Sequence, residues 1–260
     1  MEDSRVIDLV RTTRDMLLPH WGKIEAQKKV FKDGDIAQTT VTELDRQIEK
    51  YLEAGLKEID SSAAFAGEEF GGSRDAARFW LCDPIDGTMH FVRGLPFCSV
   101  MLALIEEGRI NFSIVYDFTN DHLYHARRGA GAFRNGEAIH VSDRPLDGGY
   151  LAFETRKEKP ENAALVQKIR ARANLMETVT SGYEYALVAS GKLDARICFD
   201  PWGKDYDFAP GSLLVEEAGG IVANIGMKTY DYRDLNFIAA NPRVHESLTR
   251  GEGALFPTQE

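Results

Sequence analysis

The strongest chemical signal in this 260-residue sequence is a pair of carboxylates, Asp83 and Asp86, in the hexad Asp-Pro-Ile-Asp-Gly-Thr. The apolar residues 79–82 lead into the hexad and predict a buried strand. Open sheets place ligands at the C-terminal ends of such strands. Because Pro84 has a fixed φ, it holds the turn still and lets both acids converge on one point.

Two close carboxylates such as Asp83 and Asp86 repel each other unless a proton or a cation neutralises them. The alternatives are an acid–base dyad and a set of oxygen ligands for a hard cation such as Mg²⁺ or Mn²⁺. Gly87 and Thr88 favour the cation, because glycine allows close backbone approach and free N–H groups at the start of a helical turn bind phosphate. A polar turn with a capping Asp is the structural alternative.

The composition predicts a soluble globular protein. With 43% hydrophobic residues and a net charge of −10, the chain can form one large domain or two closely fused halves. Its mean negative charge would repel nucleic acid and anionic membranes, so neither is expected as a partner. A phosphorylated substrate would meet the same repulsion, which makes bound cations more plausible.

The cysteines and the hydropathy favour a cytoplasmic location. Cys82, Cys98 and Cys198 are odd in number and lie in apolar contexts, which predicts buried thiols in a reducing compartment. No apolar run reaches membrane length and no lipidation signal occurs. His122 and His125 lie three apart in a polar segment, where solvated side chains are expected rather than a zinc site.

Helical spacing of apolar residues predicts an amphipathic helix from Val6 to about Lys29. Residues 32–35 then carry a hairpin turn signal. Thr42 opens a second helix and stands three residues before Asp45, which fits a capping box. A structural cap is therefore one explanation of Asp45, and a role in the site is the other.

A strand predicted at residues 63–66 ends just before Glu68. A neighbouring strand that leads to Asp83 could bring the two carboxylates together. Residues 97–140 alternate in hydropathy between turn signals, which predicts an antiparallel meander.

After residue 147 the pattern changes to alternating strands and helices, which indicates α/β layering. The predicted strands are at 151–153, 177–180, 195–199, 220–223 and 237–240, and the predicted helices are near 162–173, 183–190 and 207–218. Asp207 opens the last of these helices, either as a simple N-cap or as part of the site. We expect a single unit over 1–260, in which an α+β half (1–147) carries the metal site and an α/β half (148–260) completes it.

Several motifs recur in an order and spacing that resemble the inositol monophosphatase family, from about residue 5 to 250. They are Gly67-Glu68-Glu69, the hexad from Asp83 to Thr88, Tyr206-Asp207-Phe208-Ala209-Pro210, Glu216 to Gly220, Thr42 to Asp45, Phe91-Val92, Leu95-Pro96-Phe97, Gly131-Ala132-Phe133 and Asn135-Gly136. The resemblance implies a layered αβαβα sugar-phosphatase fold of the α/β (α+β) class. It also implies a phosphomonoesterase that uses two or three Mg²⁺ ions, with Mn²⁺ as a substitute, and that is commonly a dimer and often inhibited by Li⁺.

The same resemblance implies roles for individual residues. The metal ligands would be Glu68, Asp83, the Ile85 carbonyl, Asp86 and Asp207. Asp83 would be shared by two ions, and Glu68 would help to place a third. The catalytic residues would be Asp45, Glu68 and Thr88, with the Thr88 hydroxyl donating to Asp45 and orienting the attacking water.

The substrate contacts implied are Asp86, Gly87, Thr88, Thr180, Ser181, Asp200 and Asp207. Asp200 stands where the family has a sugar-binding Glu, so its carboxylate is expected to reach over the metals toward the leaving group. The sequence departs from the family pattern around Thr180 and at Tyr206, where the family usually has Trp. Inositol 1-phosphate or a related sugar or polyol phosphate is the expected substrate, while histidinol phosphate, fructose 1,6-bisphosphate and adenosine 3′,5′-bisphosphate stay open.

Two other classes of protein fit less well. A haloacid-dehalogenase-type phosphatase has its aspartates two apart, whereas Asp83 and Asp86 are three apart with a proline between them. A non-catalytic regulatory protein of this fold would be expected to have lost metal ligands, and all of them are present.

Overall fold

Alternating layers of helix and sheet build the protein in the computed structural model, which describes residues 2–25, 27–28 and 40–258. The elements up to residue 147 are α1 (Glu2–Leu17), β1 (Gln27–Lys28), β2 (Thr40–Val41), α2 (Glu43–Ile59), β3 (Ala64–Gly67), β4 (Gly71–Gly72), β5 (Arg78–Asp86), α3 (Thr88–Val92), β6 (Ser99–Glu106), β7 (Arg109–Asp117), β8 (His122–Arg127), β9 (Gly131–Arg134) and β10 (Glu137–Ala138). Those after it are β11 (Tyr150–Glu154), α4 (Pro160–Arg170), β12 (Asn174–Glu177), α5 (Ser181–Ala189), β13 (Ala195–Cys198), α6 (Asp205–Glu217), β14 (Ile221–Asn224), β15 (Phe237–Ala240) and α7 (Pro242–Thr249).

The larger sheet contains the predicted meander. Its eight strands lie in the order β10-β9-β8-β7-β6-β5-β3-β4, and β5 to β10 pair antiparallel in sequence order. At the other end of the sheet, β3 runs parallel to β5 with Gly67 opposite Cys82. This parallel pair places the residues that follow β3 beside the end of β5.

The smaller sheet has the order β12-β11-β13-β15-β14. Its first three strands are parallel, and β15 pairs antiparallel with both β13 and β14. The strand predicted at 177–180 lies earlier, at Asn174–Glu177, and residues 178–180 lead into α5 instead.

Three buried apolar clusters join the layers. On the outer face of the larger sheet, α1 and α2 pack against residues such as Leu102. Between the two sheets, α5 and α6 pack on both, with Met101 from one sheet and Phe237 from the other in the same cluster. On the outer face of the smaller sheet, α4 and α7 contribute Val166 and Val244. The order α1α2, sheet, α5α6, sheet, α4α7 confirms the αβαβα fold.

The first helix is shorter than predicted. It ends at Leu17, a 3-10 turn follows at Leu18–His20, and Gln27–Lys28 pairs as a strand with Thr40–Val41. Pro19 explains the early end, because it lacks the N–H that would continue the helical hydrogen bonds. Lys29 and the predicted turn at 32–35 lie outside the described residues.

The cysteines and the hydropathy of the helices agree with the sequence. Cys82, Cys98 and Cys198 are free and buried, as predicted. In the described part of the chain, no helix combines the length and the apolar character needed to cross a membrane.

Candidate active site

Three carboxylates from distant parts of the chain meet at one place. Oxygens of Asp83, Asp86 and Asp207 lie within 4.8 Å of one another. Asp83 and Asp86 are buried near the end of β5, and the half-buried Asp207 comes from the first turn of α6. The structure therefore brings the two acids of the hexad close to Asp207, which lies about 120 residues further along the chain.

The end of β5 is shaped by its own backbone. The pairing with β6 is irregular between Asp83 and Asp86, and it resumes at Asp86 opposite Ser99. The Ile85 N–H donates to Asp83 Oδ1 at 3.0 Å. The strand thus continues to Asp86, and an irregularity in its pairing lies where the sequence predicted a turn.

Asp86 is held by the N-terminus of α5. It accepts hydrogen bonds from the Gly182 N–H at 2.7 Å, the Ser181 N–H at 3.3 Å and the Ser99 hydroxyl at 3.2 Å. The first N–H groups of a helix have no partner within the helix and carry a partial positive charge, so they favour a carboxylate there. The contact ties the larger sheet to the layer of α5 and α6.

Asp207 is the third residue of α6, so it does not occupy the N-cap position that was one of its two predicted roles. The helix begins at Asp205 after the N-cap residue Lys204. The Asp207 carboxylate accepts from the Lys204 N–H at 2.6 Å. This backbone contact fixes the side chain in the first turn.

The electrostatics of this trio favour a bound cation. Burial raises the pKa of Asp83 and of Asp207 well above the ordinary range, and the charge of Glu68 adds to this. Burial also raises the pKa of Asp86 to about 6, although the hydrogen bond from Gly182 opposes the change. A hard divalent ion would remove the repulsion, and carboxylate oxygens are its preferred ligands. The residues present therefore fit a metal.

Thr88, the first residue of α3, lies beside Asp45. Its Oγ1 is 2.9 Å from Asp45 Oδ1 and 3.0 Å from the Ile85 carbonyl oxygen. The other Asp45 oxygen, Oδ2, accepts from the N–H and the hydroxyl of Thr42, at 2.8 and 2.5 Å. The predicted capping box of α2 is confirmed at one oxygen of Asp45, and the other oxygen contacts Thr88.

Burial raises the pKa of Asp45, and hydrogen bonds from Thr42 and Thr88 oppose this rise. A buried carboxylate with a raised pKa accepts a shared proton more readily than a solvated one.

Glu68 reaches the cleft through strand pairing. Its N–H donates to the Cys82 carbonyl at 3.1 Å, which continues the β3–β5 ladder past Gly67. Glu68 lies outside the close trio but lines the same cleft. The parallel pairing of β3 and β5 thus places Glu68 at the cleft that Asp83 also lines.

The cleft around these residues has a volume of about 280 Å³. Its walls come from the hexad, from the start of α3, and from the segments before α5 and α6. They are Glu68, Asp83, Ile85, Asp86, Gly87, Thr88, Met89, His90, Glu154, Thr178, Val179, Thr180, Ser181, Trp202, Gly203, Tyr206 and Asp207. Gly87 has φ +85°, and a Cβ there would lie 2.5 Å from both the Phe97 carbonyl oxygen and Thr180 Cγ2, so this wall requires glycine.

Asp200 is the one predicted substrate contact that does not line this cleft. Its carboxylate contacts Lys159 Nζ at 2.6 Å and accepts from Asn162 Nδ2 at 2.8 Å, both near the start of α4. The hydrogen bond from Lys159 lowers the pKa of Asp200. The expectation that Asp200 reaches over the metals is therefore corrected, because these two partners hold it beside α4.

Glu154 and Arg196 are functional candidates that the sequence reasoning missed. Glu154 ends β11 and lines the cleft, and its carboxylate contacts the guanidinium of Arg196, which is fully buried in β13. Two signals were available: an acid directly after an apolar strand, as at Asp83, and a charge inside the apolar run 195–198. A buried arginine needs partners, but the sequence could not say which.

A five-layer fold in which three clustered carboxylates lie beside a Thr–Asp pair is an arrangement suited to metal-dependent phosphate-ester hydrolysis. A sequence model of the inositol monophosphatase family matches residues 5–252, and the chain belongs to this family.

Two relatives and one solved structure match this chain over more than nine-tenths of its length. A fructose-1,6-bisphosphatase/inositol-1-monophosphatase of Thermotoga maritima is 30% identical over 256 residues, which are 94% of this chain and 93% of that protein. A histidinol-phosphatase of Chlorobaculum parvum is 32% identical over 251 residues, 95% of this chain and 88% of the relative. A solved IMPase structure from Thermotoga maritima superposes with a TM-score of 0.81 at 28% identity and covers 92% of each chain.

Proposed function

We propose that this protein hydrolyses monophosphate esters of small polyols, with inositol 1-phosphate as the first candidate, and that Mg²⁺ is its metal. The observation that carries the proposal is that the acidic trio lines the same cleft as Thr88, whose hydroxyl contacts Asp45 behind it. The proposed Mg²⁺ ligands are Glu68, Asp83, Asp86, Asp207 and the Ile85 carbonyl. Mn²⁺, which prefers the same oxygen donors, should substitute.

In phosphatases of this kind, bound Mg²⁺ supplies charge for the phosphoryl oxygens, activation of water and stabilisation of the leaving oxygen. The chain itself must position the reactants. The Thr88 hydroxyl donates a hydrogen bond to Asp45 Oδ1 or to the Ile85 carbonyl oxygen. Its lone pairs can therefore accept a hydrogen bond from a water and orient that water toward phosphorus. A new P–O bond to the water oxygen forms and the ester P–O bond breaks. One of the two protons of the water ends on the oxygen of the leaving alcohol, and the other stays with the phosphate.

The proposed phosphate position is beside Gly87 and Thr88. Both residues line the cleft at the start of α3, next to Asp86. The left-handed backbone of Gly87 allows an approach that a side chain would block. The position of these two residues supports a phosphate held by main-chain amides rather than by cationic side chains.

The lining of the cleft favours a substrate with one phosphate. Among the described residues that form its walls, none is a lysine or an arginine. A second phosphate would therefore be desolvated without a cationic partner, which is costly. This disfavours fructose 1,6-bisphosphate and adenosine 3′,5′-bisphosphate, whereas inositol 1-phosphate and histidinol phosphate remain suitable.

Thr180 and Ser181 form the wall proposed to contact the alcohol part of the substrate. Within the described residues, the buried Thr180 Oγ1 has no hydrogen-bond partner. An unpaired buried hydroxyl favours a ligand that supplies the missing hydrogen bond. A substrate hydroxyl would do so.

The test is a phosphate-release assay with Mg²⁺ over inositol 1-phosphate, histidinol phosphate, the two bisphosphates and p-nitrophenyl phosphate. We expect the highest kcat/KM for a monophosphate, and Thr180→Val should lower it for inositol 1-phosphate more than for p-nitrophenyl phosphate, which offers no hydroxyl. A bisphosphate as the best substrate would contradict the assignment of substrate class. No release from any ester would contradict the function.

We also propose a cytoplasmic homodimer, on the basis of the family resemblance and the buried free thiols. Sedimentation equilibrium of the purified protein tests the dimer, and fractionation of the source cells tests the location.

A further inference from the structure

We infer that Arg196 is a positioning residue that holds two of the three clustered carboxylates, Asp86 and Asp207, in place from behind. This inference rests on the proposed metal role of these carboxylates. Arg196 touches neither of them directly, so its effect must pass through the groups it binds.

The position of Arg196 follows from the smaller sheet. Arg196 lies opposite Ala152 in the parallel β11–β13 pair, and Glu154 lies two residues further along β11. Side chains two apart on a strand share a face, so Arg196 and Glu154 are on the same side of the sheet. Ala152 and Cys198, on that side, belong to the cluster that contains α5 and α6. The small Ala152 leaves room for the guanidinium.

The guanidinium is completely buried, and both of its terminal nitrogens have partners, whereas Nε has no hydrogen-bond partner among the described residues. It contacts the carboxylates of Glu154, at 2.5 Å, and of Glu184. Its charge also lies 5.1 Å from the ring centre of Tyr185 in α5 and 5.5 Å from that of Phe208 in α6. Both rings are within the range of cation–π attraction. The head group is therefore fixed between the two helices that carry the walls of the cleft.

One arm of this network leads to Asp86. Arg196 Nη2 donates to Ser181 Oγ at 3.0 Å. The N–H groups of Ser181 and of the next residue, Gly182, donate to the Asp86 carboxylate. A fixed Ser181 side chain thus fixes the first turn of α5, which supplies the hydrogen bonds to Asp86.

The other arm leads to Asp207 through Glu154. One Glu154 oxygen contacts Arg196, and the other accepts from the N–H groups of Trp202 and Gly203, at 3.0 and 2.8 Å. The next N–H along the chain, that of Lys204, donates to Asp207 Oδ2. Glu154 therefore holds the segment that ends in the cap of Asp207.

A lysine cannot replace this arginine, although it has the same charge. The planar guanidinium reaches Glu154, Glu184 and Ser181 at once, whereas a lysine presents one compact ammonium group. Arg196→Lys should therefore keep the buried charge and loosen both arms. Residues that hold metal ligands in place typically change metal affinity or activity 10–100-fold when they are lost.

The experiment compares wild type, Arg196→Lys and Arg78→Lys as full-length proteins. Arg78 is the control, because it also lies on a strand and pairs with two carboxylates, but its partners Asp60 and Glu106 do not line the cleft, whereas Glu154 does. Amide hydrogen exchange is measured on the metal-free proteins, and Mn²⁺ binding is measured by the loss of the free-ion electron paramagnetic resonance signal.

For Arg196→Lys we expect faster exchange in segments 180–184 and 201–205 together, and an Mn²⁺ dissociation constant raised about 10–100-fold. Arg78→Lys should change neither segment and leave Mn²⁺ binding as in wild type. Faster exchange spread over the strands 150–154 and 237–240, with unchanged Mn²⁺ binding, would show a merely structural role and overturn the inference.

A second variant covers the case in which Arg196→Lys does not fold. Glu154→Gln keeps the shape of the side chain but weakens the contact to Arg196, so it should loosen 201–205 and weaken Mn²⁺ binding. Unchanged exchange and binding in Glu154→Gln would overturn the inference. Absence of Mn²⁺ binding in wild type would instead contradict the proposed function, so the two failures are distinguishable.

Discussion

Thr88 and Asp45 are joined by a hydrogen bond of 2.9 Å between Thr88 Oγ1 and Asp45 Oδ1, while the other Asp45 oxygen caps the helix that carries it. One buried carboxylate thus links the start of α2 to the start of α3. Because the capping contacts fix the carboxylate, the Thr88 hydroxyl has a defined direction.

The first prediction concerns that hydroxyl. Thr88→Ala should lower kcat by about 10²-fold or more with a smaller change in KM, since orienting the attacking water contributes mainly in the transition state. Thr88→Ser, which keeps the hydroxyl, should retain most of the activity. Steady-state kinetics on p-nitrophenyl phosphate measure both variants, and a change confined to KM would make Thr88 only a phosphate contact.

The second prediction separates metal binding from folding at Asp83. Asp83→Asn should abolish turnover and weaken Mn²⁺ binding, because it removes a charge from the centre of the trio. The metal-free variant should fold as well as wild type, since burial already disfavours the charge at this position. Thermal unfolding without and with Mn²⁺ measures the stability and the metal binding, and a phosphate-release assay measures the turnover. Substantial activity at saturating Mg²⁺ would refute the role assigned to Asp83.

The third prediction is a pH dependence of the metal-free protein. Burial raises the pKa of Asp86 from 3.8 to about 6, and burial raises the pKa of Asp83 and Asp207 in the same direction. The folded chain therefore holds protons that the unfolded chain has released, so the free energy of unfolding should fall as pH rises from about 4 through 6 and beyond. Below pH 4 both states are protonated and this contribution is constant.

Saturating Mg²⁺ should reverse that trend, because the ion binds the charged carboxylates of the folded state. Urea unfolding at a series of pH values, with EDTA or with Mg²⁺, measures the two curves. Parallel curves would show that the trio does not hold the metal.

The fourth prediction concerns Glu49, one helical turn after Asp45 in α2. Its buried carboxylate accepts from the N–H groups of Glu69 and Phe70 at 2.7 and 2.9 Å, and so holds the turn that carries Glu68. Glu49→Ala would leave both donors unpaired, at a cost of about 1–3 kcal/mol each if they stay buried.

We expect Glu49→Ala to lower both stability and Mn²⁺ affinity, as measured by urea unfolding and Mn²⁺ titration. Glu53→Ala, on the exposed face of the same helix, is the control and should change neither. Equal effects of the two substitutions would mean that helix propensity, rather than the turn, is responsible.

The fifth prediction follows from the placement of Asp200 beside α4. Asp200→Ala should leave the ranking of substrates unchanged, because Lys159 and Asn162 hold its carboxylate outside the cleft. The loss of a partly exposed ion pair should cost only about 0–1 kcal/mol of stability. The phosphate panel and urea unfolding measure the two quantities, and a changed ranking would show that Asp200 reaches the substrate.

The sequence alone was sufficient to predict those features that depend on residues close together in the chain. The capping box at Thr42 and Asp45 depends on contacts within three residues, and the meander depends on alternation and turns within each hairpin. The hexad carries its chemistry in adjacent residues, so its two acids and Gly87 were identified without coordinates. Pro19 was a local signal for the end of α1 that the helical pattern before it obscured.

Tertiary structure decided which side chains meet. The partners of the buried Arg196 lie 42 and 12 residues away, and no periodicity links these positions. Asp200 has the right residue type and spacing for the cleft, yet the charge of Lys159 and the amide of Asn162 fix it elsewhere. Packing of α5 and α6 between the two sheets determines these contacts, because a side chain's direction depends on the layers around it as well as on its place in the chain.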